Sequence, residues 1–121
     1  MQAIVIKRAL LCGAALSSLL LGACAAQPKT LYNWGSYQQQ VYESFKDAGT
    51  SPQAQIDALE ADMQKAQAKG EALPPGFHAH LAMLYGKVGA TDQFKQKLEA
   101  EKTLYPESQT FVDFMLSKFK N

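Results

Sequence analysis

The stretch PPGFHAHLAMLYGKVG, residues 74–89, decides the fold class of this chain. The Pro-Pro-Gly triplet at its start is a loop signal, and Gly89 at its end is a typical helix stop. Between them, large apolar residues recur every three or four positions, which is the spacing of one helix face; they are Phe77, Leu81, Leu84, Tyr85 and Val88. The stretch therefore predicts an amphipathic helix with a defined beginning and end.

Two helices are predicted before this one. The first runs from about Gly35 to Ala48, and its apolar stripe consists of Tyr37, Val41 and Phe45, with Tyr42 beside it. The second begins at Ser51 and Pro52, an N-cap followed by proline at the first helical position, and it ends at Gly70. Its apolar face carries Ile56, Leu59, Met63 and Ala66.

Two further helices are predicted after it. Thr91 can cap a fourth helix that ends at Pro106, with apolar positions that include Phe94, Leu98, Leu104 and Tyr105. Ser108 can start the last helix, whose apolar residues are Phe111, Phe114, Met115 and Phe119. Since no segment alternates as a strand would, the sequence predicts an all-α fold: about five helices in antiparallel pairs, with a C-terminal capping helix.

The first two helix pairs are similar in sequence. Val41, Phe45 and Gly49 recur as Leu81, Tyr85 and Gly89 at an offset of 40, and the segment 59–62 recurs as 98–101 at an offset of 39. Periods of this size are typical of stacked helix pairs. An antiparallel bundle with coincidental spacing is the alternative interpretation.

The second pair also resembles a tetratricopeptide repeat. Leu81, Ala82 and Tyr85 match the leucine, small and tyrosine positions of that family's first helix, and Pro106 matches its closing proline. Phe94 and Glu101 depart from the pattern, because the family usually has alanine at both positions. The resemblance implies a degenerate member in which the two helices pack differently.

The N-terminal segment has the pattern of an export signal. A positive Lys7-Arg8 precedes an apolar run of 13 residues, Ala9 to Leu21, which is shorter than the ~20 that span a bilayer. Residues 1–23 are therefore interpreted as a signal peptide, residues 24–30 as a tether, and residues 31–121 as a helical periplasmic domain.

The signal ends in Leu21-Gly22-Ala23-Cys24, which resembles the lipobox of bacterial lipoproteins. The resemblance implies lipidation of the Cys24 sulfur, cleavage after Ala23, and anchoring in a membrane. Ala25 follows the cysteine, where lipoproteins kept in the inner membrane commonly have aspartate, so the outer membrane is expected. An ordinary secretory signal in which Cys24 is incidental is the alternative.

Composition argues against nucleic-acid binding and a disulfide framework. The chain has 12 basic and 11 acidic residues, and two of the basic ones, Lys7 and Arg8, lie in the signal, so the remainder is almost neutral. Nucleic-acid binding requires clustered Lys and Arg. The two cysteines, Cys12 and Cys24, both lie outside the predicted domain, which excludes a disulfide within it.

Few residues of the predicted domain suggest chemistry. His78 and His80 are two positions apart on a helix and so point in different directions, which is wrong for a shared metal ion. The acidic residues Glu60, Asp62, Glu99 and Glu101 are expected on solvated helix faces. Because the chain also lacks the usual nucleophile and phosphate-loop motifs, we expect no enzyme activity, metal or cofactor.

The segment Leu31-Tyr32-Asn33-Trp34-Gly35-Ser36-Tyr37 holds the only tryptophan. Its aromatic side chains, Tyr32, Trp34 and Tyr37, either fasten the first helix to the pair behind it or form a contact patch for a partner. This motif, shortly after a lipobox, resembles a domain-of-unknown-function family of small Gram-negative lipoproteins. The resemblance implies a genomic context with a lipoprotein similar to the curli secretion channel component, and no mechanism.

These observations favour an interaction or assembly module over an enzyme. We expect an accessory lipoprotein on the periplasmic face of the outer membrane, with a periplasmic lipoprotein of a curli-secretion-like complex as its partner. An activator of a cell-wall synthesis enzyme and a binder of peptidoglycan or a small ligand are the alternatives.

Overall fold

The computed structural model describes residues 29–46 and 48–119. The predicted signal peptide, the lipobox residues and Cys24 lie outside the described residues, so the anchoring interpretation stays a prediction. In the described part, the prediction of an all-α fold with about five helices is confirmed. These are α1 (Tyr37–Ser44), α2 (Pro52–Lys69), α3 (Phe77–Lys87), α4 (Thr91–Leu104) and α5 (Gln109–Lys118), with a 3₁₀ turn (Pro106–Ser108) before α5.

Consecutive helices form antiparallel pairs. In the pair α3–α4, the start of α3 at His78 meets the end of α4 at Glu101, and Gly86 near the end of α3 lies against the Phe94 ring near the start of α4. The pair α1–α2 is arranged in the same way, since Ser36 just before α1 meets Asp62 late in α2.

Two apolar clusters share α3 and make up the core. One lies between α2 and α3 and contains Ile56, Leu59, Phe77, Leu81 and Leu84. The other lies among α3, α4 and α5 and contains Ala79, Ala82, Phe94, Leu98 and Val112. The half-buried Tyr85 packs against both clusters. The stretch 74–89 is therefore the centre of the domain.

Most helix ends follow the local signals in the sequence. The Ser51 hydroxyl accepts a hydrogen bond from the Ala54 N–H at 3.3 Å, and Pro52 is the first residue of α2, as predicted. α2 ends before Gly70 in the left-handed conformation, also as predicted. Thr91 is not the cap of α4: Ala90 occupies the N-cap position and Thr91 is the first helical residue.

The predicted apolar stripe of α1 is correct only in part, because Tyr37 packs against the core but Phe45 does not. Phe45 is 83% exposed, whereas Gln40 is buried, and the helix ends at Ser44 rather than near Ala48. The reason is that α1 meets α2 through polar groups: the Ser44 hydroxyl donates to Gln55 Oε1 at 2.7 Å. A rule that places the most apolar stripe inside cannot find a helix held in this way.

The predicted apolar residues of α5 are also only partly in the core: Met115 packs against the second cluster and Phe119 lies against Phe94. Val112 is the residue of α5 that is fully buried, while Phe111 and Phe114 are 47% and 56% exposed. Val88 and Leu104, expected on buried stripes of α3 and α4, are exposed as well. Because α5 covers one side of the helix stack, only a narrow strip of its surface has a neighbour to pack against.

The two departures from the tetratricopeptide pattern are both accommodated. Phe94 is fully buried, and it fits because Gly86 opposite has no side chain: a β-carbon there would lie 3.3 Å from the Phe94 ring. Glu101 was expected on a solvated face, but it is buried, and its carboxylate accepts backbone hydrogen bonds at the start of α3. Large residues therefore replace alanine without separating the helices.

Equivalent carboxylates hold the first helix of each pair. Asp62 Oδ2 accepts from the Ser36 N–H at 2.7 Å, and Glu101 Oε1 accepts from the Gly76 N–H at 2.6 Å. Asp62 and Glu101 are the residues aligned by the offset of 39, while Ser36 and Gly76 are 40 apart. The same contact therefore recurs in both pairs, as the predicted internal repeat requires.

Gly35 is required by its contact with Asp62. Its φ of +45° lies in the left-handed region, and a β-carbon would come within 2.6 Å of Asp62 Oδ2. At the corresponding turn before α3, Gly76 has φ of +88°, and a β-carbon would lie 2.8 Å from the Tyr37 hydroxyl. Both turns bring backbone N–H groups close to a carboxylate, which a larger residue would obstruct.

Candidate functional site

The segment before α1 is fixed to the loop between α2 and α3. The Asn33 N–H donates to the Ala72 carbonyl at 2.7 Å, and the Asn33 side-chain amide donates to Glu71 Oε2 at 2.6 Å. The Asn33 side-chain oxygen also accepts from the Gly35 N–H at 3.0 Å. The aromatic motif is therefore held in place by Asn33, which the sequence interpretation had passed over.

The three aromatic residues of the motif have different surroundings. Tyr37 is directed inward, and its ring centroid lies 5.5 Å from that of Phe77. Burial raises the pKa of Tyr37, and the negative charge of Glu101 raises it further. Trp34 stacks on Tyr37 at 6.2 Å and remains 40% exposed. Tyr32 meets Trp34 edge-on at 6.5 Å. Tyr37 thus connects the motif to the core, while Trp34 and Tyr32 continue toward the surface.

An open groove of about 420 Å³ lies next to this motif. α2, the loop after it, the start of α3 and the end of α4 all contribute to its lining. The residues that matter most for its chemistry are Met63, Ala66, Leu73, His78, Leu104 and Tyr105. Most of them are apolar, so the groove suits an apolar ligand group.

Tyr105 joins the groove to the aromatic motif. Its hydroxyl donates a hydrogen bond to the Leu73 carbonyl, which fixes the ring at the groove wall. Tyr32 packs edge-on against the other side of this ring, with centroids 6.4 Å apart. Burial, followed by the hydroxyl of Tyr32, raises the pKa of Tyr105, so it stays a neutral hydrogen-bond donor. Tyr32 and Tyr105 thus form a rigid aromatic rim.

His78 is the histidine that lines the groove. It is 8% exposed, and its Nδ1 has no hydrogen-bond partner among the described residues. Burial, followed by the positive charge of Lys97, lowers its pKa, and the charge of Glu60 opposes this only in part. The imidazole is therefore neutral near pH 7.

The two histidines do not form a joint site. His80 lies on another side of α3, where its Nε2 is 3.4 Å from the Ser44 hydroxyl and its ring packs edge-on against Tyr37. Burial lowers the pKa of His80 as well. Across residues 29–46 and 48–119, no group of three or more potential metal ligands was found.

Three of the four acidic residues expected on solvated faces make structural contacts instead. Asp62 and Glu101 accept hydrogen bonds at helix starts. Glu60 accepts from the Tyr85 hydroxyl at 2.9 Å and pairs with Lys97 at 2.8 Å. Burial and the hydrogen bond to Glu60 raise the pKa of Tyr85 to about 12. Glu99 is the one on an exposed face, as expected.

Sequence reasoning missed the groove. Its residues lie on three helices and a loop, and their separation along the chain hides that they meet. The repeat did align Asp62 with Glu101, which was an available signal for their shared capping role but not for the groove. Within the described part of the chain, no helix is both long and apolar enough to cross a membrane.

Fold and site together define a small helical domain with a preformed apolar groove next to a fixed aromatic segment. A family model described as "Domain of unknown function (DUF4810)" matches residues 31–115. The chain therefore belongs to this family, as the expectation of a domain-of-unknown-function family had indicated. No curated protein and no solved structure matches the chain.

Proposed function

We propose that this protein is an accessory lipoprotein, anchored to the periplasmic face of the outer membrane, that docks a periplasmic lipoprotein partner in the groove. The anchor would be the lipidated Cys24. The helix pairs would form a tetratricopeptide-like stack, which positions the groove. We propose this class of partner because the aromatic motif resembles that of a family whose members accompany a channel-like lipoprotein.

The observation that carries this proposal is the groove itself. Its base and walls are mostly apolar, Leu104 on its edge is 57% exposed, and its rim is held by the Tyr105 hydrogen bond to Leu73. A rigid aromatic rim around an apolar cleft loses little entropy when a side chain enters it. These features suit a protein segment better than peptidoglycan, whose sugars need many polar contacts.

The proposal assigns binding, and not catalysis, to the site. Two of its lining side chains that can form hydrogen bonds are His78 and Tyr105. The Nδ1 atom of His78 is buried without a partner, and the Tyr105 hydroxyl already donates to the Leu73 carbonyl. Docking in this groove therefore rests on apolar contact, because the unpartnered Nδ1 is itself buried and the hydroxyl is already bonded.

Replacing Leu104 with lysine is expected to weaken partner docking without unfolding the domain. The charge would lie at the apolar edge of the groove, and loss of a hot-spot contact of ~2 kcal/mol lowers affinity about thirtyfold. The measurement is recovery of the partner, by mass spectrometry, with the full-length protein from cross-linked cells.

The matched control for this variant is Gln96→Lys, which adds the same charge at an exposed position of α4 outside the groove. A lipoprotein that is recovered with the wild type and with the control, and is lost with Leu104→Lys, supports the proposal. Equal recovery with both variants would show that the groove is not the docking surface.

A further inference from the structure

The most exposed apolar edge near the predicted tether consists of Leu31 and Trp34. Leu31 is 79% exposed and Trp34 is 40% exposed, although both are large apolar residues that folding would usually bury. Tyr37 covers one face of the Trp34 ring, so the exposed part is the rest of the indole. Lys29, two residues before Leu31, is exposed as well.

This edge is presented by a fixed backbone. The hydrogen bonds of Asn33 to Ala72 and Glu71 lie between Leu31 and Trp34 in the chain, and they hold the segment against the loop after α2. The stacking of Trp34 on Tyr37 fixes the indole orientation. An edge held in this way loses little conformational freedom when it contacts another surface.

The chain length before this edge determines what it meets first. Leu31 is seven positions after Cys24, and an extended chain over that distance reaches at most ~25 Å. This argument rests on the lipid anchor of the proposed function. With Cys24 lipidated, Leu31 and Trp34 are the first large apolar side chains of the domain beyond the membrane surface.

We propose that Leu31 and Trp34 insert into the headgroup region of the membrane that holds the lipid anchor. Tryptophan favours this region because its ring is apolar and its N–H can still reach polar groups. Leu31 adds apolar area that enters the lipid, and Lys29 is attracted to anionic headgroups. The groove would then open beside the membrane, since Glu71 and Ala72, which hold Asn33, also line the groove.

This placement favours a partner that is itself attached to the membrane. A groove held next to the lipid surface meets membrane-tethered segments at a high local concentration, whereas a soluble partner gains no such advantage. The inference therefore extends the proposed function by assigning Trp34 to the lipid and the groove to the partner.

Because Trp34 is the only tryptophan of the chain, its fluorescence reports on this edge alone. The mature lipidated protein is placed in vesicles of phosphatidylethanolamine and phosphatidylglycerol, with acyl chains either plain or brominated near the headgroups. We expect emission about twofold lower in the brominated vesicles, together with protection of Trp34 from iodide in the water, because an interfacial indole lies ~5–10 Å into the headgroup boundary.

Two variants test the assignment. Leu31→Glu changes an exposed residue, so the fold is expected to persist by circular dichroism while quenching by the brominated lipid is lost. Phe45→Glu is the control, because Phe45 is even more exposed but lies at the end of α1, and quenching should be unchanged.

Equal emission in plain and brominated vesicles would overturn the inference. This holds whether iodide quenches Trp34 or not, because protection from iodide can also come from another protein bound to the indole. The intact mass of the same sample shows whether Cys24 carries acyl chains. If the lipid is present and quenching is absent, this inference fails and the anchored docking module survives. If the lipid is absent, the anchor in the proposed function is what fails.

Discussion

Replacing Glu101 with alanine is expected to lower the free energy of unfolding by about 3 kcal/mol or more, because each buried donor left without a partner costs ~1–3 kcal/mol. Three backbone N–H groups lose their acceptor. Gly76 donates to Oε1 at 2.6 Å, and His78 and Ala79 donate to Oε2 at 3.1 and 3.2 Å. Water cannot easily replace the carboxylate, since Glu101 is 2% exposed.

The measurement is chemical denaturation followed by circular dichroism. Glu101→Gln should fall between the wild type and Glu101→Ala, because the amide keeps one acceptor oxygen but turns an NH₂ group toward N–H donors. Glu99→Ala is the matched control: it removes the same carboxylate from the same helix, where the side chain is 54% exposed and pairs weakly with Lys102 at 3.6 Å. A loss as small as that of the control would contradict the capping role.

Replacing Cys24 with serine is expected to remove the lipid and to block maturation of the lipoprotein. The lipid is joined to the protein through the cysteine sulfur, and a hydroxyl cannot form that thioether. Each buried CH₂ of an acyl chain contributes ~0.8 kcal/mol, and two or more chains together give stable anchoring. The variant should therefore lack acyl mass, and its intact mass should be that of a chain that does not begin at residue 24.

Cys12→Ser is the control for this experiment, because it removes the other cysteine from within the predicted signal. Its mature mass should equal that of the wild type, since the signal is removed before the mass is measured. Acyl mass on the Cys24→Ser protein, or a wild-type chain that starts at another residue, would show that the lipobox interpretation is wrong.

Helix identity and several helix ends could be predicted because they depend on nearby residues. Ser51, Pro52 and Gly70 determine where α2 begins and ends through contacts within a few positions of the chain. The spacing of Phe77, Leu81 and Leu84 was sufficient to find α3 and its buried face. In each of these cases, the energetic preference is already present in a short segment.

Burial of polar residues could not be predicted in the same way. Gln55 is buried because the Ser44 hydroxyl and the Thr50 carbonyl are partners for its side chain, whereas Gln40 is buried although its Oε1 has no hydrogen-bond partner among the described residues. Glu101 bonds to N–H groups that precede it by 22–25 positions. Since a single polar residue in a sequence does not reveal where its partner is, hydropathy assigned these residues to the surface.

The candidate site shows the same limit. The motif with Tyr32, Trp34 and Tyr37 could be selected from composition. Which of its rings lies in the core, at the groove or at the surface depends on contacts with Asn33 and Tyr105. The groove required Ala66 and Leu104, from different helices, to lie on one surface. That arrangement depends on how the pairs pack.

The most direct test of the docking module is photo-cross-linking in living cells from a photoreactive residue placed at Leu104 on the groove edge. The matched probe replaces Asp57, an exposed residue that lies on the opposite side of α2 from the groove residue Ala66. The account predicts one prominent adduct from position 104, containing a periplasmic lipoprotein, and none of it from position 57. The same adducts from both positions, or no lipoprotein adduct from position 104, would contradict the account.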